Sequence, residues 1–276
     1  MISAIRNNRY LILRRISQVG IMLLFVCGNL LGWKVLAGNL SSSRVMGMVP
    51  LTDPFAVLQI FASRHLVSAD ALTGAVIVAL FFGLFAGRAF CSWVCPVNMV
   101  ADLAGWLRKK AGPELDRAEP AISRKTRYWV IGVSLFVSLF TGIAAFEWIS
   151  PISMLHRGLV FGIGTGWTLV LAVFLFDLLL IKQGFCGHLC PLGGFYSVMT
   201  RFSLLRVSHQ KEKCSLCLKC LEICPERQVL QMVGRQSSAV LSGECTNCGR
   251  CIEVCRDGAM KFGGRSYVAK HDPTIA

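Results

Sequence analysis

Charge is what this chain has least of. Only 16% of its 276 residues are Asp, Glu, Lys or Arg, while 54% are hydrophobic. A soluble domain usually carries about 25% charged residues. An ordinary soluble fold is therefore disfavoured, and a membrane protein is the class to test. Acidic residues are scarcer still, 15 against 29 basic, for a net charge of +14. Such a balance fits either nucleic-acid binding or the basic flanks of membrane helices, and the placement of the charges decides between them.

Four apolar runs reach the roughly 20 residues that cross a bilayer as helix, at about 16–37, 70–87, 128–148 and 160–181. Arg6, Arg9, Arg14 and Arg15 precede the first. Arg88, Arg108, Lys109, Lys110, Arg117, Arg124, Lys125 and Arg127 separate the second and third, and Lys182, Arg201 and Arg206 follow the fourth. The two remaining loops hold only Arg44, Arg64 and Arg157. The basic residues thus mark a cytoplasmic side that takes both termini and the middle loop. This reading leaves no role for nucleic acid. The segment "LRRISQVGIMLLF" has some likeness to a twin-arginine signal, with "VLAG" at Val35 as a cleavage site. Its apolar run is too long for a signal and Lys34 abuts the cut, so a retained helix is expected.

The chain repeats itself. "FCSWVCP" at Phe90 and "FCGHLCP" at Phe185 each close an apolar run, and "DPFAVLQ" at Asp53 precedes the first much as "SPISMLH" at Ser150 precedes the second. Each half reads as helix out, short Pro-containing outer loop, helix in, then FCxxxCP. This is a parallel repeat, whose halves pack about an axis along the membrane normal. Cys91, Cys95, Cys186 and Cys190 then collect at the inner face. Residues i and i+4 share a helix face, so each pair aims two thiols one way. Three readings stay open: packing of small buried side chains, a metal or iron–sulfur site built from both pairs, and a redox or docking contact with a partner. A stable disulfide does not suit a cytosolic face. Cys27 stands alone in the first run and reads as core.

Eight of the thirteen cysteines lie in the last quarter of the chain. Cys214, Cys217, Cys220 and Cys224, then Cys245, Cys248, Cys251 and Cys255, spell C-x2-C-x2-C-x3-C twice. That is the spacing of a bacterial ferredoxin with two [4Fe–4S] clusters, where the fourth cysteine of each quartet serves the other cluster. The expected ligands are Cys214, Cys217, Cys220 and Cys255 for cluster one, and Cys245, Cys248, Cys251 and Cys224 for cluster two. A zinc ribbon needs only two pairs of ligands. Arg256 stands where a proline usually follows the last cysteine. No substrate pocket is legible here; the segment moves electrons.

Ionisable residues at membrane depth are costly and often functional. Asp177 sits late in the fourth run and Glu147 ends the third; Asp53, His65, Asp70 and His156 fall on the outer side. A quinol site needs proton acceptors, which a histidine or carboxylate supplies. His188, inside the second FCxxxCP, is a candidate neighbour of a cluster. Trp33, Trp93, Trp106, Trp129 and Trp148 fall near the expected interfaces.

Taken together, the four runs, the two FCxxxCP motifs and the double-quartet tail resemble the NapH family of membrane ferredoxin-type proteins of periplasmic nitrate reductase systems. "NLSSS" at Asn39, "VPLTDP" at Val49, "ALTGAVI" at Ala71, "ADLAGWLR" at Ala101 and "GHLCP" at Gly187 carry the likeness along nearly the whole chain. It implies an electron-transfer subunit of a quinol dehydrogenase in the bacterial inner membrane, rather than a self-contained enzyme. Electrons would pass from quinol toward the nitrate reductase. The implied partners are a periplasmic ferredoxin-type subunit, a membrane tetrahaem cytochrome c, or both. No segment is long enough for the extracytoplasmic flavin domain of related polyferredoxins. The alternative is an iron–sulfur redox sensor or an assembly factor for a respiratory metalloenzyme. The expected fold is an α-helical membrane protein with four transmembrane helices in two parallel repeats, plus a small α+β ferredoxin domain with two [4Fe–4S] clusters. The expected domains are 1–204 for the membrane part, 205–262 for the ferredoxin and 263–276 for a tail.

Overall fold

The computed structural model describes residues 8–112, 122–162, 164 and 166–265. Arg6, Arg117 and most of the 263–276 tail lie outside the described residues. The chain divides into two compact units that do not follow chain order. One gathers the described residues of Met1–Ser17, Leu80–Val94 and Tyr196–Ala276; the other holds Gln18–Ala79 and Cys95–Phe195.

The halves share their order of helices and π-helical segments, and differ where the first has a sheet and the second a short helix. The first runs through α1 (Arg9–Leu30), a three-stranded antiparallel sheet of β1 (Leu36–Gly38), β2 (Ser42–Val45) and β3 (Val49–Thr52), then α2 (Pro54–Ala62) and α3 (Ala69–Leu80). A π-helical segment follows at Phe81–Ala86, a second covers Phe90–Val94, and α4 (Val97–Ala111) closes the half. The second half has α5 (Thr126–Thr141), a short α6 (Ala145–Ile149), α7 (Pro151–Phe161) and α8 (Gly166–Leu175). It too continues into π-helical segments, at Phe176–Leu180 and Phe185–Leu189, and ends in α9 (Pro191–Met199). The outer loops expected at Asp53 and Ser150 are helices. Each starts with proline in its first turn, where the missing N–H costs nothing, and Asp53 accepts from the Phe55 amide at 3.2 Å.

Two of the four expected spans reach full length: α1, and α3 with its π-helical continuation to Ala86. α1 begins and ends about seven residues early. The Tyr10 and Leu11 amides at its start donate to the Glu253 carboxylate, and Gly32, at φ +70, lies just beyond its end. α5 has 16 residues, about 24 Å of helix at 1.5 Å per residue. It stops because Gly142 takes a left-handed cap, its amide donating to Ser138 O at 3.1 Å. The fourth run loses its start to α7, since Gly162 at φ +96 breaks the chain there. Glu147 therefore lies on α6, beyond the third helix. Leu80, Phe81, Phe85, Phe136, Phe140, Leu171 and Leu179 are exposed on these helices.

The C-terminal region is α+β, as expected. β4 (Leu205–His209) pairs antiparallel with β5 (Met260–Gly264), Val207 opposite Phe262. Short helices α10 (Lys219–Ile223) and α11 (Arg250–Val254) carry the third cysteine of each quartet, Cys220 and Cys251. The core between them contains Val207, Leu230, Val240 and Met260, together with Cys220 and Cys251.

Candidate iron–sulfur site

Each C-x2-C loop of the tail takes the same backbone path. Leu216 and Leu218 have φ of 58° and 56°, and Asn247 and Gly249 have 48° and 74°. A left-handed leucine costs roughly 1–2 kcal/mol, so two in one loop mark a turn imposed by what it surrounds. Beside burial, the charges of Cys255 and Cys214 raise the Cys220 thiol, and those of Cys248 and Cys245 raise the Cys224 thiol. Cys224, Cys245, Cys248 and Cys251 line one recess, walled by Val207, Val229 and Leu230. Four thiols facing one apolar recess suit the soft thiolate ligation of iron.

Among the described residues no three His, Cys, Asp or Glu side chains close around a single metal ion. A cubane spreads its thiolates over four irons and needs a wider cage. Burial pushes the Cys220, Cys224 and Cys251 thiols up, and Cys245 to about 11. Metal loading therefore has to expel protons. The quartets differ in access. Cys217 is exposed between exposed Leu216 and Leu218, whereas Cys248 and Cys251 are buried.

The membrane motifs are turns of π-helix, closed for example by Cys190 N–H to Phe185 O at 2.8 Å. The expected α-helical i, i+4 face is thus replaced by a wider turn, a form concentrated at functional sites. In both motifs the first cysteine is half-buried and the second buried. Cys91 belongs to one compact unit, and Cys95, Cys186 and Cys190 to the other. Cys190 Sγ accepts from the Gly193 amide at 3.4 Å, at the start of α9.

What the sequence reading missed is the arginines. Arg14, Arg88, Arg108, Arg127 and Arg206, counted above as flanking charge, are at most 2% exposed. Arg14 donates to Ser92 O at 2.9 Å and Arg127 to Gly187 O at 3.4 Å. Each acceptor follows the first cysteine of its motif, and each donor sits early in the outgoing helix of its own half. Arg108 donates to Asp177, Leu178 and Leu180 carbonyls, which the π-helical turn leaves in need of donors. Arg206 donates to Thr200, Arg201, Ser203 and Ser242 carbonyls. Nothing in composition distinguishes such an arginine from a solvated neighbour.

The other singled-out groups are mostly accounted for locally. Asp177 Oδ1 accepts from the Phe185 amide at 2.9 Å, fixing the start of the second motif. Glu147 accepts from the Ser41 and Ser153 hydroxyls, Arg44 pairs with Asp70, and His65 Nε2 meets Gly142 O at 2.9 Å. Trp33, Trp106, Trp129 and Trp148 are exposed, but the Trp93 indole donates to Asn247 O at 3.1 Å. His188 is 1% exposed inside the second motif, and Cys27 is half-buried on α1. His156 is 2% exposed, packs edge-on against Phe25 at 5.0 Å, and has no hydrogen-bond partner at either ring nitrogen among the described residues. Burial, then Arg157, lowers its pKa.

A two-quartet thiol domain on a chain with long lipid-type helices defines a membrane iron–sulfur electron-transfer protein. The comparisons narrow this. A family model described as a 4Fe-4S binding domain matches twice, at residues 69–114 and 161–209, once on each half of the repeat. A 4Fe-4S dicluster domain matches residues 206–256. The methylamine utilization ferredoxin-type protein MauN of Methylorubrum extorquens is 43% identical over 254 residues, 91% of this chain and 88% of that protein. The ferredoxin-type protein NapH of Haemophilus influenzae is 43% identical over 264 residues, covering 94% and 91%. NapH of Escherichia coli is 43% identical over 256 residues, covering 91% and 88%. The chain belongs to this NapH and MauN family of ferredoxin-type proteins. No solved structure matches it.

Proposed function

We propose that the chain is the membrane electron-transfer component of a quinol dehydrogenase, passing electrons from quinol toward a periplasmic nitrate reductase. The observation that carries the electron-transfer part is that Cys224 of the first quartet shares one apolar recess with Cys245, Cys248 and Cys251 of the second. Cys214, Cys217, Cys220 and Cys255 would hold one [4Fe–4S] cluster, and Cys224, Cys245, Cys248 and Cys251 the other. When bound, such clusters accept and release single electrons. The apolar walls exclude water from the buried quartet, and exposed Cys217 leaves the other reachable by a partner.

In this reading residues 1–204 form the membrane domain, with four crossings and both termini cytoplasmic, and 205–262 the ferredoxin domain. The charge asymmetry supports that orientation. Electrons bound for the periplasm then have to cross the membrane, and Cys91, Cys95, Cys186 and Cys190 are the relay we propose. The partners would be a periplasmic ferredoxin-type subunit and a membrane tetrahaem cytochrome c. The relatives named MauN match as well as those named NapH, so a second reading places the same electron-transfer part in methylamine oxidation. His156 is the residue we assign to quinol. A neutral imidazole offers one donor and one acceptor, and burial without partners is costly for both.

The test is reduction of the purified, anaerobic protein by a quinol analogue, followed by bleaching of the iron–sulfur absorbance. His156→Gln and the Cys91→Ser, Cys186→Ser double variant should each slow reduction at least tenfold, while dithionite still bleaches both. Quinol that never bleaches wild type would sink the dehydrogenase reading and favour a sensor or assembly factor.

A further inference from the structure

The first motif as far as Val94 lies in the same compact unit as the ferredoxin loops, and it is bonded to them. Three carbonyls of the loop 244–247 accept hydrogen bonds from residues 88–93. Arg88 Nη1 donates to Glu244 O at 3.2 Å, Ser92 Oγ to Thr246 O at 2.7 Å, and Trp93 Nε1 to Asn247 O at 3.1 Å. Asn247 Nδ2 returns one, to Ala86 O at 3.0 Å. Cys245 and Cys248 flank and interrupt this loop. Arg88 also pairs with Glu226, two residues after Cys224, so both chain segments of the buried quartet are gripped. The matching loop of the other quartet turns elsewhere: Ser215 bonds Asp257 through its amide and hydroxyl.

The direction of these bonds has a consequence. A trans peptide points its C=O and N–H opposite ways. Holding the Thr246 and Asn247 carbonyls against the arm turns the Asn247 and Cys248 amides away from it, toward the recess that the four thiols line. The Asn247 amide in fact lies against the Cys245 sulfur. Amide hydrogen bonds to cluster sulfurs are among the main determinants of potential. They stabilise the more negative, reduced state and so raise the potential.

We infer that Ser92 and Trp93 are positioning residues for the cluster held by Cys224, Cys245, Cys248 and Cys251. They set that cluster's potential and make it the one coupled to the membrane motif, with the Cys217 cluster facing outward partners. The inference rests on the proposed two-cluster reading.

The experiment is an EPR-monitored redox titration of the full-length protein in detergent, with iron and sulfide counted alongside. Trp93→Phe keeps the ring and removes the N–H; Ser92→Ala removes the hydroxyl; Ser92→Thr keeps it. A Cys248→Ser variant identifies the signal of the buried quartet. In the Ser92→Ala, Trp93→Phe double variant that signal should shift to lower potential and change its line shape. The other signal should stay put, iron should hold, and Ser92→Thr should titrate as wild type. Loss of only half the iron, from the buried quartet, would also support the coupling. Equal shifts in both signals, a shift confined to the Cys217 cluster, no shift with iron intact, or loss of all iron would overturn it. A wild-type protein without the about eight irons of two cubanes would instead refute the two-cluster reading itself.

Discussion

Replacing Arg88 with methionine tests whether the membrane arm and the ferredoxin loops are held by a buried charge. The Arg88 and Glu226 side chains are 2% and 4% exposed and meet at 2.9 Å. Without Arg88, Glu226 keeps the Gln228 amide at 2.7 Å but loses its countercharge. Stranding one partner of a buried pair costs about 3–5 kcal/mol. The Glu244 carbonyl, which now accepts from Arg88 at 3.2 Å, adds about 1 kcal/mol when released. A total of about 4–6 kcal/mol lowers the folded-to-unfolded ratio by three to four powers of ten, at 1.36 kcal/mol per decade. Removing both charges, in Arg88→Met with Glu226→Gln, should cost only about 1–2 kcal/mol, because no buried charge is then left alone. Urea titration of anaerobic, detergent-solubilised protein, followed by loss of iron–sulfur absorbance, reads all the corners of this cycle. A single variant as stable as wild type, or a double variant as weak as the single, would refute the reasoning.

Two further predictions follow from particular contacts. Gly249→Ala would place its Cβ 2.6 Å from the Tyr10 ring at a φ of +74°; a loss of about 2–3 kcal/mol is expected from strain and clash. Tyr10→Ala in that background should restore the clash part alone, which thermal melting can check. Cys251→Ser, buried in the core beside Val207 and Leu230, should lose its cluster and destabilise the whole ferredoxin domain, while Cys217→Ser, at the exposed edge, should lose one cluster and leave the melting of the rest near wild type. Iron content with melting temperature separates the two, and identical behaviour would contradict the asymmetry of burial.

Short-range signals were legible in the sequence because they are local. The cysteine spacings are read directly from the chain, and a 4Fe-4S dicluster family model matches the segment that carries them. The repeat was legible because each half spells the same order of apolar runs, cap-proline and FCxxxCP, and the same family model matches both halves. Length alone overestimated two of the helices, since Gly142 at positive φ ends the third and Gly162 at positive φ cuts off the start of the fourth, where hydropathy continues. The sheet of β1, β2 and β3 escaped notice because its strands are only three or four residues long.

The sequence by itself determined the class: scarce charge, basic flanks, a parallel repeat and two ferredoxin quartets require a greasy, iron-binding electron carrier. Tertiary structure alone decided which polar groups do the holding. Five arginines that looked like solvated flanks turn inward: Arg14, Arg108 and Arg127 to carbonyls of π-helical turns, Arg206 to four loop carbonyls and Arg88 to Glu226, since one guanidinium can satisfy several acceptors at once. It also decided that Trp93 leaves the interface to grip a ligand loop more than 150 residues away in the chain. Contacts so distant in sequence arise from packing, and no local pattern of residues announces them.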